Sequence, residues 1–232
     1  MLALMINKST LGFLGDLKKH NTREWFNSNR ARYEVAKAEV VQLVDALIAK
    51  LAHFEPHFLE IDPASCLFRI NRDTRFSKDK TPYKAHFGAL ITDRGRKVSR
   101  AGYYVHIEPG GSLVAGGLYL PPAPELKALR RALLEDAAPF RAIIGRPAFR
   151  KTFGKELPGV KLKTVPRDVP RDHPHADLLR YTSFEVVRMV PDREVLSADF
   201  VQNAARDFLL MRDFIHWQND ALVRFMPTGR TS

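Results

Sequence analysis

The chain has 232 residues, 45% hydrophobic and 10% aromatic, with a net charge of +11 and a pI near 9.9. That length and apolar content sustain a sizeable core and exclude an intrinsically disordered chain. The charge excess favours anionic partners, and it is uneven: ten Lys/Arg stand against three Asp/Glu between Arg69 and Arg100.

The first third reads as helical. A short helix is expected over Thr10–Lys19, followed by a long one with Asn21 as N-cap and Glu24 three residues on, a capping-box pattern. Phe26, Tyr33, Ala36, Val40, Leu43, Val44, Leu47 and Leu51 recur at three- and four-residue spacing and define its buried face. Trp25, Asn29 and Tyr33 form a second strip along it.

The middle changes period. Cys66–Asn71, His86–Thr92, Gly102–Glu108 and Ser112–Leu120 are short, rich in aromatic or branched residues, and divided by turn signals such as Pro109-Gly110-Gly111. A fifth strand is expected at Ser183–Val190 and a helix at Ala123–Glu135, and Ser197 is the expected cap of a long closing helix whose apolar face runs from Val201 to Leu222. Residues 139–180 are Pro-rich and irregular, read as an ordered segment wrapping the sheet; the tail after Phe225 should fray. The sum is a single α+β domain over 1–232, a mainly antiparallel sheet of about five strands packed by long N- and C-terminal helices.

The lone Cys66 excludes an internal disulfide, and its apolar neighbours Leu67 and Phe68 suggest a buried thiol. The apolar start of the chain lacks the basic leader and cleavage site of a signal peptide, and no stretch has the length of a membrane span, so a cytoplasmic protein without membrane contact is expected. Phosphate-loop, dinucleotide-fold and nucleophile-elbow signatures are missing.

The densest chemistry lies in residues 69–83, where Arg69, Arg72, Arg75, Lys78 and Lys80 surround two acids, Asp73 and Asp79. If the strand beginning at Cys66 continues to Arg75, alternation places Arg69, Asn71, Asp73 and Arg75 on one face. Guanidiniums present paired donors that match carboxylate or phosphate oxygens. Lys80, Tyr83 and Lys84, in a turn stiffened by Pro82, would close over the same anion. The alternative is an internal ion-pair network in which Asp73 and Asp79 neutralise neighbouring arginines.

In Gly102–Glu108, Tyr104, His106 and Glu108 share a face opposite Tyr103, Val105 and Ile107, an arrangement able to hold an acid/base group. Asp73 and His106 are therefore the candidate catalytic residues, and Arg69, Arg72, Arg75, Lys80, Tyr83, Lys84 and Tyr104 the candidate ligand-binding ones. His106 with Glu108, or Asp172 with His173 and His175, carry metal-compatible donors without a recognised ligand spacing, so no metal ligand and no cofactor is assigned. Two partners fit the basic run: an anionic small molecule, or a nucleic-acid phosphate backbone tracked by cations such as Arg94, Arg96, Lys97 and Arg100 with tyrosines for stacking.

The run Arg69, Arg72, Asp73, Arg75, Phe76, Asp79, Lys80, Tyr83 fits the pattern R-x-x-R-D-x-R-F-x-x-[DN]-K-x-x-Y. By it the chain resembles a family of bacterial conserved hypothetical proteins catalogued as a domain of unknown function. The likeness extends to the Asn21–Arg30 opening, the strand through Tyr103, Tyr104 and His106, and the Asp172-His173-Pro174 segment. It implies kinship and brings no activity, substrate or cofactor with it.

Overall fold

The computed structural model describes residues 6–95 and 98–226. Arg96 and Lys97, the apolar opening residues 1–5 and the tail after Met226 lie outside the described residues.

In chain order, α1 (Lys8–Lys19), α2 (Arg23–Ser28) and α3 (Arg30–Leu51) precede a 3-10 turn at Pro56–Glu60 and α4 (Pro63–Cys66). Strands β1 (Phe87–Ile91), β2 (Gly102–Ile107) and β3 (Leu113–Leu118) follow. Helices α5 (Ala123–Glu135), α6 (Ala138–Gly145), α7 (Pro147–Phe153) and α8 (Ala176–Leu179) lead to β4 (Phe184–Met189), α9 (Asp192–Val195) and α10 (Phe200–Phe225). The four strands form one antiparallel sheet in the order β1-β2-β3-β4, so the fold is α+β. No helix among the described residues is long and apolar enough to cross a membrane.

The chain divides into two compact units. The first comprises Met1–Gly95, Tyr104–Val114 and Met189–Arg206; the second comprises Arg96–Tyr103, Ala115–Arg188 and Asp207–Ser232.

In the first unit, every apolar position expected on the long helix, from Phe26 to Leu51, is buried. Each such Leu, Val or Phe contributes roughly 1.5–3 kcal/mol of transfer free energy. The helix is nevertheless interrupted. Thr22, not Asn21, caps α2 by accepting from the Trp25 amide at 3.2 Å, and Asn29 separates α2 from α3. Asn21 is engaged elsewhere: its Nδ2 donates to the Tyr83 carbonyl at 2.9 Å and its Oδ1 accepts the Tyr83 amide at 3.0 Å.

An aromatic stack runs from the helices to the strand side of this unit. Phe26 lies 4.0 Å from Tyr83 and 5.0 Å from Tyr33 between ring centroids, and Tyr33 lies 6.1 Å from Phe87 at the head of β1. Helix packing and the Asn21 clamp thus hold the two ends of the stretch Tyr83–Phe87 that carries Lys84 and His86.

The expected strand at Cys66–Asn71 is the one that does not form, so the sheet has four strands rather than five. Asp62 accepts from the Ala64 and Ser65 amides and Pro63 opens the turn, which makes Pro63–Cys66 helical. The chain then meets β1 at a single bridge, Leu67 to Ala89, and Asn71 bridges instead to Tyr83. Arg72 N–H donates to the Pro82 carbonyl and Lys84 N–H to the Ile70 carbonyl, closing residues 71–83 into a loop. Cys66 is buried at the end of α4.

In the second unit the segment 139–180 is built of α6, α7, irregular chain and α8. It is tied to the approach to β4 by the Lys161–Tyr181 bridge and by Leu162 N–H donating to the Arg180 carbonyl at 2.7 Å. Asn219 of α10 clamps Ala101 as Asn21 clamps Tyr83, with bonds of 2.9 and 3.1 Å to its amide and carbonyl. Ser197 does not cap α10: its hydroxyl donates back to the Glu194 carbonyl, and the helix begins at Phe200.

Candidate functional site

The strongest concentration of chemistry lies within the first unit, on the polar side of β1 and β2. Tyr103, Val105 and Ile107 are buried at 1% exposure or less, so alternation sends Tyr104, His106 and Glu108 to the opposite face. There they form a hydrogen-bonded row. Tyr104 Oη lies 3.1 Å from His106 Nδ1, and His106 Nε2 lies 3.1 Å from Glu108 Oε2.

Both ends of the row are fixed. Glu108 sits just past β2, where its amide donates to Ser112 Oγ at 3.0 Å and the same hydroxyl donates back to the Glu108 carbonyl at 2.9 Å. Lys18 of α1 reaches Glu108 Oε1 at 3.2 Å. At the other end Tyr104 lies across Gly88 of β1, where a Cβ would stand 2.4 Å from its hydroxyl. Gly88 therefore leaves the space that lets the tyrosine reach His106.

His86, one residue before β1, joins the row from the side, its ring 4.2 Å from that of His106. Beyond it lie Phe68, whose ring meets Tyr104 edge-on at 6.3 Å, and Lys84, whose ammonium stands 5.6 Å over Phe68 and donates to the Arg69 carbonyl at 3.0 Å. Partial burial shapes the titration of these groups. Desolvation, reinforced by the charge of His106, pushes His86 down to about 4. Desolvation raises Tyr104 to about 12, so it stays a protonated donor. Burial pushes the Glu108 carboxyl up, but the hydrogen bonds from His106 and Lys18 outweigh it and hold the acid below the usual glutamate range. The row thus places the His106 ring between a protonated phenol and a carboxylate held in its charged form.

The 69–83 run is arranged differently from the alternating face expected of it. Extension ends at Asp73, whose Oδ1 accepts the Arg75 amide at 3.2 Å as in an Asx turn. The same carboxylate takes Arg75 Nε at 3.0 Å and Nη2 at 2.6 Å, and these bonds hold its pKa below the ordinary aspartate value. Arg72 pairs with Asp79 and also donates to Thr81. Asp79 is lowered to about 2, first by the Thr81 amide and then by Arg72. Lys80 donates to the Thr74 carbonyl at 2.9 Å. The Arg69 guanidinium makes no hydrogen bond or ion pair among the described residues and acts on Asp73 through charge alone. The Tyr83 ring is buried against that of Phe26.

The structure therefore brings Tyr104, His106 and Lys84 into one neighbourhood with Arg69 at its border. Arg72, Asp73, Arg75 and Lys80 stand on the 71–83 loop, engaged with one another and with its backbone. His86 and Lys18 escaped the sequence reading. For His86 a signal existed, because Phe87, Ala89 and Ile91 are the buried alternates of β1 and parity assigns residue 86 to the polar face. The Asp172–His175 segment uses its imidazoles locally: His173 Nδ1 accepts the His175 amide at 3.1 Å, and Arg141 lies 3.5 Å from His175 Nδ1.

A four-stranded antiparallel sheet, with a Tyr-His-Glu row on the polar side of β2 and a basic loop tied to the helical side by Asn21, defines an α+β protein. The chain belongs to the family described as conserved hypothetical protein (DUF2461), which matches residues 9–217. No curated protein and no solved structure matches it.

Proposed function

We propose that the protein binds a phosphate- or carboxylate-bearing small molecule on the polar side of β1 and β2 and moves a proton on it through Tyr104, His106 and Glu108. One observation carries the reading: a partly buried acid–base row, held by hydrogen bonds of 3.1 Å, with Lys18 at one end and Lys84 beyond the other. Lys84 and Arg69 supply charge for the anion. His106 is the group that exchanges the proton, because its two ring nitrogens face a donor and an acceptor. Asp73 is less suited to that work, since Arg75 occupies both of its oxygens. The motif loop acts as the anion-facing wall. A reducing, cytoplasmic setting suits the single buried thiol.

The test is thermal-shift screening of inorganic phosphate and of phosphorylated and carboxylated metabolites. A ligand present at 100 times its Kd stabilises the fold by about 2.7 kcal/mol. Arg69→Ala with Lys84→Ala should abolish the shift, while His106→Gln should keep it. Absence of any shift in the wild type, or an unchanged shift in the double variant, overturns the reading.

A second reading has its own support in Phe76, 96% exposed at the loop tip, with Arg75 5.9 Å from its ring centroid and Lys78 and Lys80 nearby in the chain. An exposed aromatic among cations suits stacking on a nucleobase. Nucleic-acid affinity that falls steeply across a salt series and is weakened by Phe76→Ala would support it.

A further inference from the structure

His86, His106 and Glu108 offer one donor atom each, and the three atoms lie within 4.8 Å of one another. Among the described residues this is the group of His, Cys, Asp and Glu side chains gathered closely enough to share an ion. From that geometry we propose that the three residues form a binding site for one divalent first-row transition-metal ion, with Tyr104 as a positioning residue. The proposal deepens the preceding reading, since it rests on the same face of the sheet being the working site.

Two neutral imidazoles and a carboxylate suit zinc or iron(II) and disfavour magnesium and calcium, which prefer all-oxygen shells. An ion about 2.0–2.2 Å from each donor needs donors roughly 3–4 Å apart. His106 Nε2 and Glu108 Oε2 already stand at 3.1 Å, and the His86 ring, 4.2 Å from that of His106 and tilted 30° to it, keeps the third donor within 4.8 Å of both. In the bound state the ion would replace the proton that His106 and Glu108 share. His106 would carry its hydrogen on Nδ1 and donate it to Tyr104 Oη, the outer bond that orients a metal-bound imidazole.

Lys18 does not block the site. Its ammonium engages Oε1 and leaves Oε2 toward the histidines, and the lysine side chain is 65% exposed. Three protein ligands leave coordination positions open, as a catalytic rather than structural site requires. A phosphate or carboxylate oxygen could fill one while Lys84 and Arg69 hold the rest of the anion.

The experiment uses the full chain, stripped with chelator and dialysed. Zinc binding is measured by calorimetry and cobalt(II) binding by its visible absorption. One ion per chain and a visible band are expected for the wild type, and both should vanish in His106→Asn and in Glu108→Gln. Tyr104→Phe keeps the ring packing and should bind one ion about 10–100-fold more weakly; it carries the test if the other variants fail to fold. No stoichiometric binding by the wild type, or binding that persists unchanged in the three variants, overturns the proposal. The anion screen on the same metal-free protein separates the two ideas. An anion response without metal binding removes only the metal site, and metal binding without an anion response removes only the ligand reading.

Discussion

Asn21→Ala tests whether the basic loop is held from the helical side. The substitution removes two amide hydrogen bonds, at 2.9 and 3.0 Å, that serve both backbone groups of the buried Tyr83. At about 0.5–1.5 kcal/mol each the loss is about 1–3 kcal/mol, toward the upper end because the Tyr83 N–H and C=O lose their partners in a buried setting. With a urea dependence of about 3 kcal/mol per molar, a 2 kcal/mol loss lowers the midpoint by roughly 0.7 M. The local effect is more diagnostic. Amide exchange should quicken at Tyr83, at Arg72, bonded to the Pro82 carbonyl, and at Lys84, bonded to the Ile70 carbonyl, while the interior of α3 keeps its protection. Asn21→Asp should recover only part of the loss, because a carboxylate still accepts the Tyr83 amide but cannot donate to the Tyr83 carbonyl. A midpoint shift below about 0.2 M with unchanged exchange at Tyr83 and Lys84 would refute the argument that Asn21 anchors the loop.

Gly117→Ala in β3 should be severe: φ is +114°, and an added Cβ would stand 2.1 Å from the Phe184 carbonyl of β4, so about 4 kcal/mol or more is expected by chemical denaturation. A loss under 1 kcal/mol would mean that the strands part easily. Gly88→Ala should displace Tyr104, cost about 1–3 kcal/mol and break the bond to His106. In combination with Tyr104→Phe, which removes the hydroxyl that the Cβ would meet, the losses should be less than additive, and strict additivity would argue against that contact. Glu185 of β4 has its carboxyl raised to about 7 by burial. Below the ordinary value near 4.5 the group is protonated folded or unfolded, so its penalty builds between about pH 4.5 and 7 and is complete above. At about 1.4 kcal/mol per pH unit the ceiling is about 3 kcal/mol, reduced to about 1–2 by the group's partial exposure. Glu185→Gln should therefore gain about that much at pH 8 and nothing at pH 4, and an equal gain at both pH values would rule out the titration as its source.

The elements legible in the sequence were those decided by local pattern. Ala123–Glu135 occupies the expected residues, β1 to β4 fall inside their expected ranges, and the buried face of α3 follows its spacing. The facing of Tyr104, His106 and Glu108 needed only the alternation of β2. What escaped depends on partners distant in sequence or on a competing local bond. Asn21 has the residue type of a cap, and its alternative partner, Tyr83, lies 62 positions away. Cys66–Asn71 has strand-like composition, but the Asp62 cap and the Asx turn at Asp73 claim its two ends. His86 meets His106 through the pairing of β1 with β2, and parity gives the face without giving the register.

The internal pairing of the basic loop bears on what its charges are for. The Arg75–Asp73 pair joins side chains 77% and 42% exposed, a setting in which solvent screening leaves an ion pair little stabilising effect. Stability is thus a weak reason for assembling five cations on residues 69–80. The two acids do something more specific. Asp73 bonds the Arg75 amide and Asp79 the Thr81 amide, so each carboxylate shapes a backbone turn while fixing a guanidinium. Five cations against two acids leave the loop positive after both pairs are made. A loop that is folded in advance and still carries excess charge loses less conformational entropy on meeting an anion than a flexible one would. The same pairing that answers two of the five positive charges would therefore, on the proposed reading, leave the remainder, Arg69 foremost, preorganised for an anion.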